Sequence, residues 1–193
     1  MSNDLTSSLR PAFVMTGLFA LTLGIAYPLA ITGVAQVAFP HQANGSLIEQ
    51  GGKTIGSALI GQNFAGDRYF HPRPSAAGKG YDATASSGSN YGPTSQALAD
   101  RVKGDVARIS VPGKQLPPDL VTASASGLDP DLSPEAALYQ VDRVARARKM
   151  DAAPIEALVR RSIDTPFLPF LGEPHVNVLA LNLALDRLAP PGR

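Results

Sequence analysis

The sequence predicts an α+β protein. A single amino-terminal transmembrane helix is followed by one extracytoplasmic α+β domain with short strands and about four helices. Three observations predict this. Pro11 to Pro40 is an apolar run without Asp, Glu, Lys or Arg, and about 18 or more such residues read as a membrane-spanning helix. Downstream, apolar side chains recur at helical spacing in several capped stretches. Between these stretches lie short β-type runs next to glycine pairs. The implied division is 1–10, a short cytoplasmic amino terminus, then 11–39, the anchor helix, then 40–193, the soluble domain.

As a helix, Ala12 to Ala38 would be roughly 40 Å long at about 1.5 Å per residue. That exceeds a hydrocarbon core of about 30 Å, so the helix tilts or protrudes. A cleavable signal peptide is the alternative, and Gly33-Val34-Ala35 offers a small-x-small site. Its apolar region would be only about 7–15 residues, so a retained anchor is expected. Ala20 and Gly24 form a small-xxx-small pair that lets another helix approach closely, and Gly17 extends that smooth patch. Tyr27-Pro28 predicts a kink, because Pro28 removes one helical hydrogen bond and leaves a carbonyl for a neighbouring helix to satisfy. Gly17, Ala20, Gly24, Tyr27 and Pro28 are therefore candidate docking positions, although Gly and Ala are common in any membrane helix.

Arg10 precedes the span, and the next cationic side chain after it is Lys53. Positive charge stays inside, which places the amino terminus in the cytoplasm and the large domain outside. The formal charge of +1 favours neither nucleic acid nor acidic lipid as a partner. The chain has no cysteine, which excludes disulfides and thiolate metal sites.

In chain order, Asn44-Gly45 is a turn signal. Ser46 to Ile48 and Ile55 to Ile60, around Gly51-Gly52, predict a hairpin. Asp67 to Pro93 is a long Gly-, Ser- and Pro-rich loop, and its Tyr69, Phe70, Tyr81 and Tyr91 imply that it packs on something. Leu98, Val102, Val106 and Ile109 form the stripe of an amphipathic helix over Thr94 to Ile109. Pro112 to Pro118 is a linker, and Leu120 to Ala123 has strand character. Ser133 is an N-cap, with Pro134 at the first helical position and Glu135 in the first turn. That helix runs to about Lys149 and buries Ala137, Val141 and Val144. Pro154 starts a short helix with Ile155, Leu158 and Val159 inward. Pro174 starts a last, core helix, whose apolar residues cover most of its circumference and leave Asn177, Asn182 and Asp186 on the remainder.

No catalytic or metal-ligating constellation is found. His41, His71 and His175 are far apart and lack a two-His ligand spacing. Gly52-Lys53-Thr54 has the ending of a phosphate loop, but the required first glycine falls on Leu47. Ser86 to Asn90 presents backbone donors suited to an anion, or else forms a loop capped by its own side chains.

The Tyr27-Pro28 anchor is joined by FPHQANGSLI (Phe39–Ile48), IGSALIGQ-F (Ile55–Phe64), YFHPRPSA (Tyr69–Ala76), SGSN (Ser87–Asn90), SASGLDPDLSP-AA (Ser124–Ala137), Q-RVA-AR (Gln140–Arg148) and LGEPHVNVL-LN (Leu171–Asn182). Together these blocks closely resemble the C-subunit family of the Kdp potassium-transporting ATPases, KdpC, over nearly the whole chain. The resemblance implies a complex with a potassium-binding channel-like subunit, a P-type ATP-hydrolysing subunit and a small single-span subunit, set in membrane lipid of the cell inner membrane. It implies a non-catalytic catalytic chaperone that raises the ATP affinity of the hydrolytic subunit. No cofactor is bound tightly, and ATP is met through the complex. The family's Ser-Gly motif, likened to a transporter signature, implies nucleotide contact at Ser87, Gly88, Ser89 and Asn90. A domain outside the membrane does not meet cytosolic ATP, so orientation and direct contact exclude one another, and the orientation is carried forward. A membrane-anchored extracytoplasmic enzyme or binding module of the cell envelope is the alternative function.

Arg73 lies between Pro72 and Pro74, which stiffen the backbone around it. A stiff loop holds the guanidinium fork at little entropic cost. Two readings follow. Either Arg73 clamps the domain's own carbonyls or a carboxylate such as Asp82, or Arg73 and Pro74 meet the channel-like subunit.

Overall fold

The computed structural model describes residues 2–168 and 170–188. The chain divides into two compact units, Met1–Leu47 and Ile48–Arg193, each described by itself.

In the first unit, helix α1 (Ser2–Leu21), a π turn (Thr22–Ala26) and helix α2 (Tyr27–Ala38) follow without a break. The helix runs through Pro11 instead of starting there, and the stretch apolar and long enough to cross a membrane is Ser7–Ala38. Pro28 does not produce a plain kink. The preceding turn widens, and the Tyr27 N–H donates to Thr22 O, a partner five residues back. Such a π turn inserts one residue into the ladder beside the proline. The residue before a proline is pushed out of helical geometry, and Phe39, before Pro40, sits at φ −140° and ends α2. A short helix α3 (Pro40–Ala43) follows. The Asn44 and Gln36 amides exchange hydrogen bonds at 3.2 and 3.3 Å across that corner.

The second unit begins with the expected hairpin, β1 (Leu47–Gln50) and β2 (Lys53–Ser57). Gly51 and Gly52 form its turn with φ of +59° and +74°, the pair of positive values that a tight two-residue hairpin requires. Helix α4 (Gln96–Ile109) forms as its stripe predicts. Leu98, Val102 and Ile109 are half-buried and Val106 is exposed, so this helix lies at the edge of the core. Leu120 to Ala123 is not a strand: Pro118–Leu120 is a 3₁₀ turn that buries Leu120. The helix after Ser133 is two helices, α5 (Pro134–Tyr139) and α6 (Val141–Arg148), separated at Gln140. The Ser133 hydroxyl accepts from Ala136 N as its cap, and Lys149 closes α6 in the left-handed region. Helix α7 (Ala152–Arg161) buries Ile155, Leu158 and Val159 as expected.

Pro174 does not start the last helix. His175–Asn177 is strand β5, central in an antiparallel sheet with β3 (Asp131–Leu132) and β4 (Ile163–Asp164). Val176 faces both Leu132 and Ile163 across the sheet. Helix α8 (Val178–Leu188) then enters the core. Leu132, Val144, Ile155, Val159, Val176, Leu181 and Leu185 are almost wholly enclosed. Phe70, from the long loop, joins them with no exposed surface, and Asn182 is only 1% exposed, so it belongs to the buried face.

Candidate functional site

The segment Asp67–Ser75 opens in a turn at Asp67 and Arg68 and continues from Phe70 outside any helix or strand. Buried main-chain groups need partners, and here helix side chains supply them. Phe70 N–H donates to Asn182 Oδ1 at 2.8 Å, and Asn182 Nδ2 donates to Phe70 O at 3.0 Å. One residue on, His71 N–H donates to Gln140 Oε1 at 2.8 Å, and Gln140 Nε2 returns a bond to His71 O at 3.0 Å. Each carboxamide thus imitates the edge of a neighbouring strand. Gln140 is free to do so because α5 ends and α6 begins at that residue.

Arginines from α6 continue the pattern. Arg143 donates to Asp67 O, Tyr69 O and Gln140 Oε1 at 2.6, 2.9 and 2.6 Å. Arg148, its side chain almost wholly enclosed, donates to Arg68 O and pairs with Asp186 at 2.6 Å. Its guanidinium carbon also sits 5.0 Å from the centre of the Tyr69 ring, and Tyr69 donates its hydroxyl to the same Asp186. Cation, ring and carboxylate therefore fix one another.

Arg73 pairs with Asp129 at 2.8 Å, and its Nε lies 3.5 Å from Thr122 O. The clamp exists, but its carboxylate is Asp129 and not Asp82, which instead accepts from Thr84. Tyr81 donates its hydroxyl to Arg73 O, and Ser124 N–H donates to Pro74 O. Burial, with the Asp129 charge adding to it, pushes the Tyr81 hydroxyl well above its ordinary range.

The segment borders a cavity of about 1040 Å³. Arg73, Lys79, Arg108, Lys114, Arg143 and Arg146 line it, against Asp67, Asp142 and Asp151, so its walls are basic. Phe64, Ile109, Leu120 and Tyr139 provide apolar wall. His71 stands at this border, its Nε2 3.0 Å from Gly66 O and 3.4 Å from Arg143. Burial first, and the Arg143 charge second, hold its pKa below the ordinary 6.5.

The loop Ser87 to Asn90 lies against the segment Ser124–Ser126. Ser87 N–H donates to Ser126 O at 3.0 Å, and the Ser87 hydroxyl donates to Gly88 O. Gly88 is required there, because a β-carbon would stand 2.9 Å from Ala125 O. Asn90 adopts a φ of +52° and is exposed. Gly17, Ala20, Gly24, Tyr27 and Pro28 lie in the first unit with exposed side-chain positions. A β-carbon at Gly17 or Gly24 would meet nothing within 4 Å. Among the described residues, no group of three or more His, Asp or Glu is placed to hold a metal ion.

Sequence reasoning named Arg73 and missed Gln140, Asn182 and Arg143 as organisers of the segment. The signal was present. Asn182 falls on the stripe Val178, Asn182, Leu185, and Gln140 on the stripe Ala137, Gln140, Val144. An amide on an apolar stripe predicts a buried hydrogen-bonding duty.

The family described as KdpC: K+-transporting ATPase, c chain, matches residues 9–187. A potassium-transporting ATPase KdpC subunit of Caulobacter vibrioides (strain NA1000 / CB15N) is 58% identical over 188 residues, covering 96% of this chain and 95% of that protein. One from Rhodopseudomonas palustris (strain ATCC BAA-98 / CGA009) is 56% identical over 197 residues, covering 94% and 97%. One from Rhodospirillum rubrum is 56% identical over 187 residues, covering 95% and 97%.

Proposed function

This chain belongs to the KdpC family of potassium-transporting ATPase C chains, and from that premise we propose that it assembles and tunes the pump without performing its chemistry. The observation that carries the reading is the segment Asp67–Ser75, held by side chains from α6, α8 and the Asp129 loop. A segment fixed at this many points presents a rigid surface, which lowers the ordering cost of binding a partner. The anchor, with Gly17, Ala20, Gly24, Tyr27 and Pro28 on it, docks against a membrane helix of the complex. The outer segment with Arg73 and Pro74 meets the potassium-binding channel-like subunit. Asp129 neutralises the guanidinium there, so Arg73 acts by positioning and not by attracting or repelling the ion.

The amino terminus is cytoplasmic and the domain stands outside the inner membrane. The chain then raises the ATP affinity of the P-type subunit by favouring one conformation of the assembled pump, since a partner shifts an equilibrium by its differential affinity for the two states. Any contribution of Ser87, Gly88, Ser89 and Asn90 to nucleotide contact belongs to the opposite orientation. The test is ATPase activity of the complex, purified with and without this chain, across a range of ATP concentrations. The reading expects the half-saturating ATP concentration to rise several-fold when the chain is absent, with the maximal rate less affected. An unchanged half-saturating concentration contradicts it.

A further inference from the structure

The connection between β4 and β5 carries an apolar tip that neither the core nor the proposed docking segment uses. Its sequence, TPFLPFLG (Thr165–Gly172), contains no charged side chain. Phe167 is 94% exposed, Phe170 80% and Leu171 63%. Solitary exposed apolar residues need no explanation, but a contiguous group of this kind marks a membrane or protein contact.

We infer that the Thr165–Gly172 tip inserts into the lipid surface of the membrane that holds the anchor. Three observations favour lipid as the occupant. First, the tip offers no side chain to form directed polar contacts except Thr165, so it suits a non-directional apolar medium. Second, part of its backbone needs no water. Pro166 and Pro169 have no N–H to satisfy, and Leu171 N–H donates to Leu168 O at 2.9 Å, closing the turn internally. Unsatisfied backbone groups are what bar irregular loops from hydrocarbon. Third, the flanking charges, Arg160, Arg161, Asp164 and Glu173, balance one another, so burial of apolar area and not attraction to acidic headgroups drives the contact.

The chain's length permits it. Nine residues lie between Ala38 and Ile48, a reach of at most about 35 Å over the ten steps, and a domain of this size is about 40 Å across. The tether keeps the bilayer within reach of the tip, and Phe side chains need to enter only the outermost roughly 5–10 Å. The inference rests on the reading of Ser7–Ala38 as a membrane anchor.

The chain has no tryptophan, so each Trp variant carries a single reporter. Full-length chains with Phe170→Trp or Phe167→Trp are placed in bilayer nanodiscs of zwitterionic lipid, with and without bromine on the acyl chains. Leu29→Trp in the anchor and Tyr91→Trp in an exposed loop are the controls. The inference expects both tip variants to emit to the blue of Tyr91→Trp and to lose most of their emission to brominated lipid, in high salt as in low. Tip emission that matches Tyr91→Trp overturns it. Blue-shifted tip emission that brominated lipid leaves intact also overturns it, and assigns the tip to protein cover. If Leu29→Trp itself is not quenched, the anchor reading has failed, an outcome distinct from failure of the tip alone.

Discussion

The Asn182 carboxamide closes both main-chain hydrogen bonds of Phe70, accepting at 2.8 Å and donating at 3.0 Å with only 1% of the residue exposed. This is the attachment of the long loop to the core. Asn182→Leu keeps the branched shape, with a larger side chain, and orphans two buried backbone groups. At about 1–3 kcal/mol for each unsatisfied group, the expected loss is about 2–6 kcal/mol in denaturant unfolding. Asn182→Asp loses the donor and buries a charge, so it is expected to be at least as damaging. A Leu variant as stable as the parent shows that the loop is held elsewhere.

Arg73 and Asp129 separate the two duties given to Arg73. Their pair is about a quarter exposed on each side, and partly exposed pairs contribute about 0.5–1 kcal/mol. If Arg73 serves only the fold, Arg73→Ala, Asp129→Ala and the double variant lose similar stability and assemble equally well. If it also meets the channel-like subunit, Arg73→Ala weakens assembly and Asp129→Ala does not. With a single short bond to Asp129, Arg73→Lys is expected to recover much of the stability; a failure equal to alanine returns the weight to the guanidinium fork.

His71 is expected to make the domain sensitive to acid. Its folded pKa lies below 6.5 because burial and Arg143 oppose its charge, so near that pH the unfolded chain binds more protons than the folded one. Stability therefore rises with pH through the window below about 6.5 and is lost as pH falls through it. His71→Gln is expected to flatten that part of a stability profile measured against pH. An unchanged slope assigns the acid sensitivity to other groups.

Gly24 lies inside the π turn, where an added β-carbon meets nothing within 4 Å beyond its own helix backbone. With the helix content of the chain unchanged by circular dichroism, an effect of Gly24→Leu on the complex reports on an outside neighbour. The expected result is a complex that loosens in detergent while the thermal unfolding of the second unit, Ile48–Arg193, is unchanged. A complex that purifies intact and active places this face against lipid.

What was legible in the sequence follows from local physics. Ser133, Pro134 and the apolar stripes marked α5, α6 and α7, because caps and periodicity are local. Gly51-Gly52 marked the hairpin for the same reason. The β3-β5-β4 sheet was not legible: its strands are two or three residues long, and their pairing is set by partners distant in the chain. Pro174 carried a helix-start signal, yet tertiary pairing of Val176 with Leu132 and Ile163 claimed the next residues for a strand. The Arg73 clamp was foreseen with the wrong carboxylate, since Asp129 comes to it only through the fold.

The most direct test of the account is to tag the full-length chain, extract it from membranes in mild detergent and recover what accompanies it. The account predicts an undivided chain that brings the P-type ATP-hydrolysing subunit and the potassium-binding subunit with it, and potassium-stimulated ATPase activity in the same fraction. A chain that emerges alone, while the membranes left behind keep their full potassium-stimulated activity, would contradict it.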